Sequence, residues 1–246
     1  MMRVMIRLAA TLLVLATMLS ATGCKLKNNP IAAIWGKCLG EIEWVDSLML
    51  NDIMYISNQD GTKEIAVGQE GEKVGEVAYT LNEHACTDHK AKNGDAAYLP
   101  IGAAIYAMNG YKPSYRLMAG GKVYEAHSNP NAKTLGDLWD IDGKIAKISL
   151  ESGIDGSPIG DFAPEASAVF AREMPQLTLV GFDTVYKDTK NEYGIFLRVH
   201  LEDGTSFRMV YYEKANAFNA GAYGTEALKT IIVSERVRIK KAAGLM

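Results

Sequence analysis

Apolar and polar residues follow three regimes along this chain. Leu8 to Ser20 is an unbroken apolar or small run. From there to about residue 126, apolar and polar residues alternate in short pieces. Period two is the mark of half-buried strands, and the pieces are cut by Gly, Pro and Asn, which punctuate local structure. Beyond residue 143, stretches of period two take turns with stretches of helical spacing.

In the first alternating region the pattern predicts strands over Glu41–Asp46, Ile53–Ser57, Glu64–Val67 and Val74–Leu81, with Asn58-Gln59-Asp60-Gly61 as a hairpin turn. Asp-Gly between alternating runs is a strong hairpin cue, because both positions tolerate positive φ. After a turn at Asn93-Gly94-Asp95, four shorter strands follow: Ala97–Leu99, Ala104–Met108, Tyr115–Met118 and Lys122–Ala126. Pro100, Gly102, Asn109-Gly110 and Gly120-Gly121 separate them. Short strands with tight turns predict a small curled sheet or barrel.

Ser128–Asp142 is rich in Asn, Asp and Pro, and a boundary is placed within it. Gly143–Glu151 alternates again. Pro164 opens a helix, as Pro favours the first helical position, and Ala166, Val169 and Phe170 share its inner face. Pro175 ends it. Leu177–Tyr186 reads as extended. Tyr193–His200 and Ser206–Tyr212 flank Glu202-Asp203-Gly204-Thr205, a second hairpin, and Thr225 caps a last helix with Leu228, Ile231 and Ile232 turned inward. The fold class expected is mainly β with α+β character: a β-rich sheet or barrel over residues 38–135, then an α+β module over residues 141–241.

The N-terminal run changes where the protein is placed. Arg3 and Arg7 precede the apolar stretch, and small residues lead from it to Cys24. That order is the charged, apolar, small-residue order of a secretory leader, and the run falls short of the ~20 residues a membrane span needs. Ala21-Thr22-Gly23-Cys24 resembles the lipobox of bacterial lipoproteins, with Ala21 where that family prefers Leu. The resemblance implies cleavage before Cys24, a diacylated Cys24 thiol and, often, an acylated new amino group. The chain would then divide into a leader (1–23), a tether (24–37) and the two folded parts. Its address would be the outer face of a bacterial cell membrane, held there by lipid. The second folded part also resembles uncharacterised lipoproteins of Gram-positive bacteria, through Ile145-x-x-Ile148-x-Leu150, the Phe162–Met174 helix and Ile195–Tyr211 around Asp203-Gly204. That likeness implies a fold class and no catalytic residues.

Composition excludes some partners. The 246 residues carry a net charge of −3, and loss of Arg3 and Arg7 with the leader makes the remainder more acidic. Nucleic-acid binding, which wants a basic face, is not expected. With Cys24 acylated, Cys38 and Cys86 remain as a pair, and outside the cytosol a pair of thiols oxidises readily.

Two groups of residues carry candidate chemistry. In Glu83-His84-Ala85-Cys86-Thr87-Asp88-His89, an extended segment would turn His84 and Cys86 the same way. With His89 they would form a three-ligand set for zinc or copper, or Cys86 would serve as a nucleophile with a histidine base. A Cys38–Cys86 disulfide excludes both roles for Cys86. The second group is Tyr98, Tyr106, Tyr111, Tyr115 and Tyr124, either a face for stacking a sugar or peptide or strand aromatics that fill a sheet. No nucleophile elbow, phosphate loop, dinucleotide fingerprint or His-Glu-x-x-His is present. The expectation is therefore a lipid-anchored envelope protein that binds a protein, glycan or small ligand, with a metal-binding or thiol-active protein as the alternative.

Overall fold

The structure is a computed structural model and describes residues 42–58 and 68–246. The leader, the tether with Cys24, Cys38, and the turn and return strand expected over residues 59–67 lie outside the described residues. Residues 43–85 and 89–246 make one compact unit. Ile42 and Cys86–Asp88 belong to a second, whose other residues lie outside those described.

The large unit is mainly β. Its first eight strands are β1 (Ser47–Leu50), β2 (Ile53–Ser57), β3 (Glu70–Glu76), β4 (Tyr79–Thr80), β5 (Asp95–Ala96), β6 (Ala104–Met108), β7 (Arg116–Ala119) and β8 (Lys122–Ser128). They form one curled sheet in the order β3-β6-β7-β8-β2-β1-β5-β4. Every pairing is antiparallel except the short β4–β5 contact. The sheet starts from a hairpin that the alternation does not reveal. Leu50 pairs with Ile53, and Asn51 and Asp52 between them have φ of 52° and 62°. Two consecutive positive φ values make the turn whose twist suits a two-residue hairpin, and Asn and Asp tolerate it. The strand expected at Glu41–Asp46 therefore lies at Ser47–Leu50. Asp46 turns inward instead, where its carboxylate accepts from Lys122 Nζ at 2.7 Å and Tyr124 Oη at 3.0 Å.

The segment after β8 holds α1 (Leu135–Leu138). Thr134 Oγ1 accepts from Asp137 N at 3.1 Å, and an Asp137 carboxylate oxygen accepts from Thr134 N at 2.9 Å. This reciprocal capping box satisfies donors that a helix start leaves orphaned. The chain then enters the second sheet: β9 (Ile145–Glu151), β10 (Pro158–Asp161), β11 (Ile195–Leu201), β12 (Ser206–Tyr212), β13 (Ala217–Phe218) and β14 (Ala222–Tyr223), in the order β10-β9-β11-β12-β13-β14. Three more helices complete it: α2 (Pro164–Glu173), followed by a 3-10 turn, α3 (Phe182–Thr189) and α4 (Glu226–Ala242). Of the extended segment expected over Leu177–Tyr186, Thr178 and Leu179 do make antiparallel bridges to Thr134 and Ala222, and helix α3 replaces the rest from Phe182. Its Phe, Thr, Val and Tyr favour strands, but Val185 and Thr189, one turn apart, both bury, and the Thr189 hydroxyl donates to Val185 O at 3.0 Å. Tertiary packing decides the helix here.

Alternation sorts the second sheet into two faces. Ile195, Leu197, Val199 and Leu201 are buried on one side of β11, while Phe196, Arg198 and His200 take the other. Helices α2 and α4 cover the apolar face with Phe170, Leu228 and Ile232 at 0% exposure. Residues from both sheets, among them Leu48, Tyr55, Tyr124, Leu150, Val199 and Met209, belong to one hydrophobic cluster. Among the described residues no helix is long and apolar enough to cross a membrane.

Candidate functional site

The capping box that starts α1 also fixes Trp139, the residue that closes that helix. Its indole Nε1 donates to Ala126 O on β8 at 3.1 Å, and its ring meets Phe207 of β12 at 4.9 Å between centroids. These two aromatics form one wall of a cleft of about 510 Å3 between β2 and β8 on one side and β12 with the Asn219–Ala220 turn on the other. Phe182 stands at its rim, 54% exposed and stacked on Tyr186 at 5.7 Å. A volume in the range of roughly 300–1,000 Å3, apolar walls and a few polar groups are what small-ligand sites share.

The polar groups of the cleft divide into spent and unspent ones. Arg208 is spent: its Nε lies 3.0 Å from Glu151 Oε2, an ion pair without hydrogen-bond geometry, and its guanidinium stacks on Phe196 at 4.5 Å. Glu125 is half spent. Its Oε1 accepts from Arg116 Nε at 2.9 Å, from Arg116 Nη2 and from Tyr115 Oη, while Oε2 has no protein partner among the described residues. Asn129 and Asn219 use only their carbonyl oxygens, which accept from Asn131 N and Val210 N. Their amide N–H groups remain unpaired among the described residues, as do the Ser128 hydroxyl and the exposed His127 ring.

Arg116 behind Glu125 is the organising charge. It is 0% exposed and lies 4.4 Å from the Tyr111 ring centre and 5.0 Å from that of Tyr115. Its Nη1 donates to Thr205 Oγ1 at 2.7 Å and Asp203 Oδ2 at 3.3 Å. A buried guanidinium is tolerable only when every donor side is met by charge or oxygen. Burial raises the Asp203 carboxyl, but hydrogen bonds from Thr205 and Tyr111 outweigh it and hold the group below its usual value. Burial pushes the Tyr115 phenol well above the ordinary tyrosine range.

The five tyrosines do not make one binding face. Tyr115 and Tyr124 are 2% and 0% exposed, too deep to stack a ligand. Tyr111 packs on Arg116, Tyr106 packs beside Met108 and Met118, and Tyr98 donates its hydroxyl to Trp44 O at 2.7 Å. Tyr98 alone among the five keeps a large part of its ring in water, at 44% exposure.

The His84–His89 segment also departs from the metal set. Cys86 is disulfide-bonded, and Cys24 and Cys38 lie outside the described residues. A disulfide sulfur is neither a thiolate ligand nor a nucleophile, so the zinc or copper set loses its soft donor and the thiol chemistry its nucleophile. His84 Nδ1 lies 2.8 Å from Asn82 O, His89 Nε2 lies 2.7 Å from Asp95 Oδ2, and both rings pack on Tyr79. Among the described residues no group of three or more His, Cys, Asp or Glu is placed to hold a metal ion.

One further cluster has the residue types of a hydrolase. Ser149, Asp161 and His200 come together on neighbouring strands, with Ser149 Oγ 2.7 Å from Asp161 Oδ1 and 2.8 Å from His200 Nε2. The order is wrong for acyl transfer. A catalytic histidine sits between serine and acid so that it can take the serine proton. Here the serine sits in the middle. Lys147 and Ser149 hold Asp161 below its usual pKa as a carboxylate, so the serine donates to Asp161. His200 Nε2–H must then donate to Ser149 Oγ and has no lone pair there for a proton.

The cleft residues were largely hidden in the sequence. Trp139 falls in a stretch that reads as a boundary, and His127 stands alone. The capping pattern Thr134-x-x-Asp137 just before the tryptophan is the local signal that could have marked it. No protein-family model, no curated protein and no solved structure matches this chain.

Proposed function

We propose that this protein is an exported, lipid-anchored binding protein of the bacterial cell envelope that holds a glycan or similar hydroxyl-rich small ligand in the cleft of Trp139, Phe207 and Phe182. One observation carries the reading: an aromatic-walled cleft of about 510 Å3 whose unspent polar groups are amide and hydroxyl donors, one imidazole and one carboxylate oxygen. An aromatic face is negative and its edge positive, so it accepts the weakly positive C–H faces of a sugar ring. Amide N–H groups and a carboxylate oxygen satisfy the outward hydroxyls. The charges that would favour an ionic ligand are already engaged in ion pairs, Glu125 with Arg116 and Arg208 with Glu151. The leader and the Cys24 pattern support the address.

The test is equilibrium titration of the purified protein with cell-wall oligosaccharides, followed by tryptophan fluorescence. Saturable binding is expected. Trp139→Ala should weaken it at least tenfold, as for a central aromatic anchor. His127→Ala, which removes no contact among the described residues, should weaken it severalfold with an unchanged melting temperature. Binding that is unaffected by both substitutions, or absent for every envelope glycan, sinks the proposal.

A further inference from the structure

The second sheet ends in an exposed tip that the cleft does not use. The β9–β11 ladder ends at the Glu151–Phe196 pair; Ile154 lies in the turn that follows β9 and Tyr193 in the loop that precedes β11. Both side chains stand in water, at 99% and 98% exposure. Gly153 and Gly194 beside them add no shielding side chain. A hollow of about 540 Å3 joins this tip to the last turns of α4, with Ile154 and Gly194 on one wall and Arg236, Lys240 and Leu245 on the other. Leu245 is 58% exposed.

The charge here runs against the rest of the chain. The protein is net negative, yet α4 closes with Arg236, Arg238, Lys240 and Lys241. Arg236 lies 3.7 Å from Glu213, and Arg238 pairs with Glu235. Lys240 and Lys241 have no partner among the described residues. Neighbouring acids are engaged locally: Asp155, exposed on the same hollow, accepts from Ser157 N and Oγ within its own loop, and Glu192 accepts from Lys214 N and Ala215 N.

We propose that this tip is a docking surface for anionic lipid headgroups, with Ile154 and Tyr193 entering the headgroup–acyl boundary and Lys240 and Lys241 lying on phosphates. Aliphatic and tyrosine side chains at the interface and lysines at the level of the phosphates are what an interfacial contact requires. Two projecting loop tips separated by glycine suit insertion into a soft surface better than mating with a flat protein face. The contact is separate from the cleft and from acylation of Cys24.

The test uses the full-length protein bound to vesicles of phosphatidylglycerol or of phosphatidylcholine, with a membrane-impermeant amine reagent and peptide mass spectrometry. Acylation of Lys240 and Lys241 should slow about fivefold or more on phosphatidylglycerol alone, with recovery at high salt. Lys90, exposed in the loop between β4 and β5, should keep its rate and serves as internal control. Ile154→Asp with Tyr193→Asp should restore labelling without changing the circular dichroism. Equal rates on both lipids overturn the proposal, and so does protection that survives the double substitution.

Discussion

Two polar networks in this protein use similar groups in opposite settings. Around Arg116, a guanidinium at 0% exposure draws on Glu125 of its own sheet and on Asp203 and Thr205 from the hairpin turn between β11 and β12. Around Glu151, one carboxylate at 3% exposure is shared by Arg198 and Arg208, and Ser149, Asp161 and His200 continue the same row over β10, β9 and β11. The first network joins two sheets through their interior. The second lies along one sheet face, where arginine side chains at 15% and 33% exposure form its outer layer. A buried charge stripped of its partner stays stranded, whereas a charge at the surface turns to water. The same chemistry therefore has different consequences.

The largest expected effect separates the two. Arg116→Ala strands Glu125 and empties the space between Tyr111 and Tyr115, and should cost on the order of 3–5 kcal/mol in urea unfolding. Arg116→Met, which fills the space but still leaves Glu125 unpaired, should cost less, and pairing it with Glu125→Gln should recover part of the loss. If Arg116→Ala costs no more than a surface substitution, the network is not holding the sheets together. Next in size is Glu151→Gln. Its arginines can relax toward solvent, so about 1–3 kcal/mol is expected, measured in the same way.

The contrast also explains what could be foreseen from the sequence. The strands Ile53–Ser57, Ala104–Met108 and Ser206–Tyr212 appear with the bounds their alternation predicts, because a strand with one buried face writes its period directly into the sequence. Thr225 likewise caps its helix, accepting from Leu228 N at 3.2 Å. Asn51-Asp52 hid a hairpin because no Gly marks it, and Phe182–Thr189 hid a helix behind strand-favouring residues. The Arg116–Asp203 pair spans 87 positions, and nothing local to either residue announces the other. Asp203 reads as a turn residue and is one, but its second oxygen serves a charge on another sheet. The cleft was illegible for the same reason: Trp139, Phe207, His127 and Asn219 meet only when both sheets are in place.

The smallest expected effect is a pH dependence that belongs to the second network alone. Burial, with Lys147 and Arg198 nearby, lowers the His200 pKa, and Asp161 and Glu151 oppose the shift without cancelling it. A histidine that resists protonation in the fold binds more protons unfolded than folded, so stability falls as pH drops. The loss begins near the ordinary value of 6.5 and proceeds downward until the folded imidazole also protonates. Asp161 and Asp203 are lowered from 3.8, so their contribution is full above that value and is lost only in stronger acid. Urea midpoints taken from pH 7.5 to 4.5 should therefore decline in the wild type and stay flatter in His200→Asn, while Arg116→Met keeps the wild-type slope. A slope that persists without His200 would assign the titration elsewhere and leave the sheet-face network electrically silent over that range. Its hydrogen bonds would then order side chains on β9, β10 and β11 without linking the fold to pH.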